Sequence, residues 1–219
     1  MIVRRLKFLA SITAALITTA CSNSATGLKS AASAVPPPAG SQFRFSPATN
    51  LLGNGSFEHP IVGGGSFDLF NTGTTFSHWK VTGAAGNVAI VSGTFTQGGF
   101  SFPAHCGSQW LDLTGTSNSA TGVSQTFNTT AGSQHTLTFF VGNIVDPGGI
   151  FGTTSTVNVL IDGQQIFSAT NSGGAGSNKL FWKKFTTGFT ATGSSVTITF
   201  LNGDPSTDTN NGLDCVQLT

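Results

Sequence analysis

The chain has 219 residues, of which 8% are charged and 38% are hydrophobic, and it contains 29 glycines and 19 phenylalanines but no tyrosine. This length suits one domain with appendages, and ordinary soluble domains carry about 25% charged residues. From residue 48 onward four lysines stand against eight acids, so the net charge is near −4 and excludes a basic surface for nucleic acid. Thr, Ser, Asn and Gly take the place of charged residues, which favours an all-β extracellular protein.

Residues 1–20 have the pattern of a secretory signal peptide. Arg4, Arg5 and Lys7 precede an apolar stretch that runs from residue 8 to residue 20. This stretch is too short to span a bilayer, because a transmembrane helix needs about 20 apolar residues. A basic start, a short apolar segment and small residues before the cut are typical of export.

The stretch "LITTAC" resembles a bacterial lipobox and predicts that Cys21 is lipidated. The alternative is ordinary cleavage after Ala20, which would release the protein. Residues 21–48 are rich in Ala, Ser and Pro and lack periodicity, so we expect a tether. The protein would then contact the membrane only through its lipid, at the cell surface or in the periplasm.

Two cysteines remain for the folded part, Cys106 and Cys215. Export favours a disulfide between them. The alternative is a pair of free buried thiols, and no second Cys or His lies at the spacing of a zinc site.

From residue 50 the chain consists of short alternating runs between turn clusters, which predicts about ten strands and no long amphipathic helix. The runs are "WKVTG", "NVAIVSG", "SQWLDLTG", "GVSQTFNTT", "HTLTFFVGN", "STVNVLIDGQQIFSAT", "LFWKKFTTGFTA", "SSVTITFLNG" and "GLDCVQLT". Asp162-Gly163 stands between two β-rich runs, as in a two-residue hairpin. We therefore predict a single jelly-roll β-sandwich over residues 49–219.

Alternation within the runs predicts which side chains face the core. The predicted core sets are Leu137, Phe139 and Val141, then Val157, Val159 and Ile161, and then Val196, Ile198 and Phe200. Leu111 and Leu113 share a face, so Trp110 and Asp112 point the other way.

In chain order these pieces resemble domain-of-unknown-function family 642, which includes plant cell-wall proteins. The pieces that carry the resemblance are "NLLGNGSFEHP", "FSHWKVTGAAGNVAIVSG", "GSQWLDLTG", "GVSQTFNTTAG", "HTLTFFVGN", "WKKFTTGFTATGSSVTITF" and "GLDCVQL". The bacterial members nearest in pattern are called choice-of-anchor C proteins. The resemblance implies a galactose-binding-like jelly roll, often linked to cell-wall polysaccharide. Cys215 departs from the pattern, since relatives commonly have Asp or Asn there.

The resemblance also implies a role for Glu58, the only glutamate of the chain. Related carbohydrate-binding jelly rolls often hold a structural calcium between their first and last strands, and the matching positions here are Glu58 and Asp214. Calcium takes six to eight oxygen ligands, and Asp112 is a possible third carboxylate. The alternative is that Glu58 caps turn amides or is merely exposed.

These patterns predict a non-catalytic binding module for cell-surface or extracellular polysaccharide. Trp110 is a candidate for stacking on a sugar, although a contact on the sheet face explains it equally well. There is no G-x-S-x-G, no H-E-x-x-H and no phosphate loop. The alternatives are a structural or adhesive surface protein that binds another protein, and an accessory lectin of a degradative system.

Overall fold

The computed structural model describes residues 49–219. The predicted signal peptide (1–20), the lipidated Cys21 and the tether (21–48) lie outside the described residues and stay predictions. Between residues 49 and 219 every regular element is a strand, and nothing there is a helix long and apolar enough to cross a membrane.

Fourteen strands lie in the described part of the chain, against about ten predicted. They are β1 (Phe67–Asn71), β2 (Thr75–Phe76), β3 (Trp79–Gly83), β4 (Asn87–Ser92), β5 (Thr96–Gln97), β6 (Phe100–Ser101), β7 (Gln109–Asp112), β8 (Thr121–Asn128), β9 (Gln134–Asn143), β10 (Ser155–Ile161), β11 (Gln164–Asn171), β12 (Phe181–Thr190), β13 (Ser195–Asn202) and β14 (Gly212–Leu218). Three of the additional strands, β2, β5 and β6, have only two residues each, which is too short for alternation to show.

The strands form two six-stranded antiparallel sheets and one short ribbon. The first sheet has the order β1-β4-β7-β14-β9-β12, and the second has the order β11-β10-β13-β8-β3-β2. β5 and β6 pair with each other apart from both sheets. The predicted all-β sandwich is confirmed, and its last strand lies in the middle of the first sheet.

The hairpin predicted at Asp162-Gly163 joins β10 to β11. Both residues have positive φ, 49° and 83°, and Ile161 pairs with Gln164 across the turn. Two successive positive φ values are those of the type I′ turn that matches the twist of a β-hairpin.

The main core lies between the two sheets and is made of the side chains that alternation predicts. Val157, Val159, Val196, Ile198, Phe200, Leu137, Phe139, Val141, Leu111 and Leu113 are all at most 1% exposed. Ile161 is half-buried against the same cluster. Each such side chain contributes about 1.5–3 kcal/mol when it leaves water.

The segment that precedes β1 runs along β14 without forming a strand of its own. The Leu51 N–H donates to the Leu218 carbonyl at 3.0 Å, and the Val216 N–H donates to the Gly55 carbonyl at 2.8 Å. A Cβ on Gly55 would collide with the carbonyl oxygen of Val216. Only glycine therefore allows this close approach, and the start of the domain is held against its end.

Candidate functional site

The face of the first sheet that points away from the main core carries a second apolar cluster. Along β7 and the residue that follows it, Leu111 and Leu113 face the core while Trp110 and Asp112 face outward, as alternation predicts. Residues 93–108, which include β5 and β6, cross this outer face, and we call them the cover loop. The cluster beneath and around the cover loop contains Ala89, Val91, Phe102, Trp110, Ile144, Phe151 and Leu180.

Trp110 is buried by the cover loop and is only 1% exposed. Its ring stacks at 14° on Phe102, and its Nε1–H donates to the Phe102 carbonyl at 3.0 Å. Trp182 contacts the Trp110 ring edge-on at 5.8 Å. Trp110 therefore makes the sheet-face contact, and a sugar could reach its ring only through an opening in the cluster.

Such an opening exists as a cleft of about 410 Å³ over β1, β4 and β7. One wall is aromatic and consists of Phe67, Phe95, Phe102, Trp110 and Phe151. Neighbouring rings contact one another. The ring centroids of Phe67 and Phe95 lie 5.7 Å apart, and those of Phe95 and Phe102 lie 5.5 Å apart. A concave site of this volume with an apolar wall is typical of small-ligand sites.

Other residues that line the cleft are polar and form what we call its polar wall, which belongs to the end of β7 and to the loops after β7 and β13. Its hydrogen-bonding side chains are Asp112, Thr116, Asn118, Thr209 and Asn210, and Gln97 of the cover loop lies at its edge. The Asn118 amide donates to the Ser206 carbonyl at 3.1 Å, which ties two of these loops together. The wall therefore offers both donors and acceptors from positions fixed by the scaffold.

Asp112 is the buried carboxylate of the cleft. Its Oδ1 accepts hydrogen bonds from the Thr114 N–H at 3.1 Å, the Thr114 hydroxyl at 2.7 Å and the Asn211 N–H at 3.1 Å. Burial raises the pKa of Asp112 to about 6, although these hydrogen bonds act in the opposite direction. A carboxyl group with a perturbed pKa in a concave site is a common mark of a functional site.

Two further acids lie behind the polar wall. Burial raises the pKa of Asp204 to about 7, and the charges of Asp208 and Asp112 raise it further. Asp208 is 6% exposed and packs on Gly152, next to Phe151 of the aromatic wall. The Oδ1 of Asn210 is buried without a hydrogen-bond partner, so this side of the cleft has acceptor capacity that the protein does not satisfy.

Glu58 and Asp214 hold the cover loop at its other end. The Glu58 Oε1 accepts the N–H groups of Ser108 and Gln109, each at 2.9 Å. A Cβ on Gly107, which has a φ of 71°, would collide with the Glu58 carboxylate. The sequence therefore places glycine where this carboxylate has to approach the backbone.

Asp214 accepts three backbone N–H groups, from His105 at 2.8 Å, Cys106 at 2.9 Å and Cys215 at 2.7 Å. Burial raises the pKa of Asp214 to about 7, with the charge of Glu58 adding to the effect and the three amides opposing it. Cys106 and Cys215 form a disulfide, as expected, with their Cα atoms 5.7 Å apart. This bond fixes the cover loop to β14.

Glu58 and Asp214, two of the acids expected to bind calcium, lie close enough for the charge of Glu58 to raise the pKa of Asp214. Asp112, the possible third ligand, contacts Thr114 and Asn211 instead. Within residues 49–219 no three His, Cys, Asp or Glu side chains are grouped to hold one ion, and the bonded oxygens of Glu58 and Asp214 face N–H groups. Glu58 thus caps turn amides, the alternative named above, and calcium binding, which needs six to eight oxygen ligands, stays a prediction.

The sequence singled out Trp110 and Asp112 without revealing the cleft between them. Much of the aromatic and polar walls comes from loop segments at residues 95–102, 115–118, 150–151 and 209–210. None of these segments alternates, so their positions depend on long-range packing. The run "DPSTDTNNG" at 204–212, dense in acceptors, was the one available signal.

Solved structures with the same fold are similar at low sequence identity. A cyclase from Fischerella sp. TAU is 17% identical with a TM-score of 0.50, over 76% of this chain and 94% of that chain. The N-terminal CBM22-1-CBM22-2 tandem domain of Paenibacillus barcinonensis Xyn10C is 18% identical with a TM-score of 0.50, over 80% of this chain and 50% of that chain. A family 35 carbohydrate binding module from an environmental isolate is 15% identical with a TM-score of 0.42, over 69% of this chain and 91% of that chain.

This chain thus spans half the length of the tandem domain and more than nine-tenths of the other two structures. Likeness at this identity establishes the jelly-roll sandwich and no more. A search of curated proteins found none that matches the sequence. The model of the family described as "Protein of unknown function (DUF642)" matches residues 50–215, and the chain therefore belongs to that family.

Proposed function

We propose that this domain is a non-catalytic binding module for polysaccharide and that the cleft on the outer face of the first sheet is its binding site. The observation that carries the proposal is the pairing of an aromatic wall with a polar wall across one cleft. A sugar ring has the same division, because its C–H face is apolar and its rim carries hydroxyl groups.

The energetics of the two walls support this assignment. Burying the C–H face of a sugar against Phe67 and Phe95 removes apolar surface from water, at about 25 cal/mol per Å². The hydroxyls can then donate to the Asp112 carboxylate, which lines the cleft. A hydrogen bond to a charged group contributes roughly 1.5–3 kcal/mol, so this contact adds to affinity. The shared fold with the CBM22 tandem domain agrees with this function.

The cellular setting is part of the same proposal and rests on the sequence. We place the protein outside the cytoplasm, attached through a lipid on Cys21 and extended on residues 22–48, in the manner of an anchored surface protein such as those of the choice-of-anchor C group. A disulfide between Cys106 and Cys215 suits an oxidising compartment. A fatty-acid probe should label the wild type and not Cys21→Ser, and equal labelling of both would remove the anchor from the proposal.

A matched pair of phenylalanines on the two edge strands of the first sheet tests the binding site. Phe67 on β1 lines the cleft and is 39% exposed, whereas Phe181 on β12 is 45% exposed and lies outside it. A glycan array first identifies a bound polysaccharide. Phe67→Ala should then weaken its binding about tenfold, the effect of roughly 1.4 kcal/mol, while Phe181→Ala leaves it unchanged.

Either of two results would contradict the proposal. If no glycan on the array binds the purified protein, the carbohydrate function fails. If glycans bind and the two variants lose affinity equally, the function stands but the cleft is not the site.

A further inference from the structure

The cleft carries charge of one sign. Asp112 lines it, and no Lys, Arg or His is among the lining residues that the structure describes. Asp204 and Asp208 lie behind the same wall, close enough for the charges of Asp208 and Asp112 to raise the pKa of Asp204. The local electrostatic potential is therefore negative, as is the net charge of residues 48–219.

The lysines of the folded part lie elsewhere. Lys80 is on β3 in the second sheet, and Lys183 and Lys184 are on β12. β14 and β9 separate β12 from β7, which is about 14 Å at the usual strand spacing. This distance exceeds the Debye length of about 8 Å at physiological salt. Lys179 is nearer, through a backbone bridge to Ser101, but it does not line the cleft.

An anionic sugar would meet two costs in this site. Its carboxylate or sulfate would lose water beside aromatic rings without gaining a counter-charge, and an unpaired charge is expensive to bury. It would also face Asp112, a like charge. A neutral sugar meets neither cost, because its hydroxyls can donate to Asp112 and accept from the amides of Asn118 and Asn210.

We infer that the cleft selects uncharged sugar segments and discriminates against uronate and sulfated glycans, an inference that rests on the carbohydrate-binding function proposed above. The ligand class is thus a neutral polysaccharide or a neutral stretch of a mixed one. Two features together produce this selectivity. No basic side chain among the described lining residues can pair with an anionic sugar, and the acids of the polar wall repel one.

The test uses pairs of polymers that differ only in charge. Polygalacturonate, polyglucuronate and polymannuronate are each compared with their carboxyl-reduced forms, by calorimetry on the purified protein at low salt. In at least one pair, the affinity for the carboxyl-reduced polymer should be at least ten times that for its uronate parent. A parent that binds as tightly as its reduced form overturns the inference while the carbohydrate function stands. If neither member of any pair binds, the inference also fails, whereas the glycan array described above decides the carbohydrate function itself.

Two glutamines provide a matched charge change. Gln97 on β5 lines the cleft, whereas Gln164 on β11 is exposed on the second sheet. Gln97→Lys should raise the affinity for the uronate parent and reduce at least threefold the ratio of the two affinities, that of the carboxyl-reduced polymer over that of its parent. Gln164→Lys should leave this ratio unchanged. Equal effects of the two variants would show that overall charge, and not the cleft, decides selectivity, which would also overturn the inference.

Discussion

The three tryptophans show how single residues hold loops to the sheets. Trp79 donates its Nε1–H to the Asn54 carbonyl at 3.0 Å, Trp110 to that of Phe102 at 3.0 Å, and Trp182 to that of Pro103 at 2.9 Å. Each indole buries a large apolar surface and uses its one donor on a carbonyl that a strand does not pair. Two of the three carbonyls belong to the cover loop, so these rings help to form the cleft.

Glu58 gives the first prediction, which separates amide capping from metal binding. Glu58→Ala removes the acceptor of the Ser108 and Gln109 N–H groups and should cost roughly 2–3 kcal/mol of unfolding free energy. Glu58→Gln keeps an oxygen at the same place and should cost less than half as much. Chemical denaturation of the three proteins measures both differences.

Calcium would give the reverse pattern. If the carboxylate held an ion, Gln would be nearly as harmful as Ala, and a chelator would lower the melting temperature of the wild type. Amide capping alone predicts no response to the chelator, and a clear response would confirm the calcium site that the resemblance implies.

At the scale of elements, the cover loop depends on its attachment to β14. The Cys106–Cys215 bond closes a segment with a sequence separation of 109, and Asp214 holds the adjacent amides. The loop supplies Phe95 and Phe102 to the aromatic wall. The cleft can therefore form only while the cover loop is held in this position.

We predict that replacing both cysteines by serine loosens the cover loop and weakens glycan binding together. The chain-entropy model gives an upper value of about 4–5 kcal/mol for a loop of this length. The hydrogen-exchange rates of residues 93–108 should rise more than those of β10, β11 and β13, which lie in the second sheet. Exchange that rises equally throughout would mean that the bond stabilises the whole fold and not the loop in particular.

The strands that sequence reasoning found are those whose pattern is local. β3, β8, β9, β10 and β13 alternate over five or more residues, and the hairpin turn has its own signature at Asp162-Gly163. The cleft could not be found in this way, because its walls are loops that meet only after the sheets have formed. Alternation correctly predicts that Asp112 lies on the outer face. It does not predict that the neighbouring Trp110 is buried, because the cover loop buries it.

At the scale of the whole molecule, stability should depend on three buried acids. Folding raises the pKa of Asp112 to about 6 and those of Asp204 and Asp214 to about 7, from a usual 3.8. A raised pKa means that the folded state holds protons that the unfolded chain releases. The unfolding free energy should therefore be highest near pH 4, fall between pH 4 and pH 7, and level off above pH 7.

The slope is at most about 1.4 kcal/mol per pH unit for each retained proton. Asp204→Asn keeps the oxygen that accepts the Thr156 N–H. It should reduce by about a third the loss of unfolding free energy between pH 4 and pH 7. Urea titrations from pH 4 to pH 8 measure both curves. Stability that rises over this interval would show that the amides around these acids outweigh their burial.

The family resemblance and the sandwich are confirmed at this scale, because they depend on many local patterns in a fixed order. The calcium site depends on a few positions only and stays a prediction. Here backbone N–H groups face the bonded oxygens of both carboxylates.

The central place of β14 in the first sheet has a consequence for biogenesis. Strands β7 and β9 cannot join until β14 enters between them, so the first sheet stays in two pieces until β14 has been made. Asp214 and Cys215 arrive with the same strand, and the cover loop is fixed only then. A nascent chain therefore cannot complete the cleft before β14 has been synthesised.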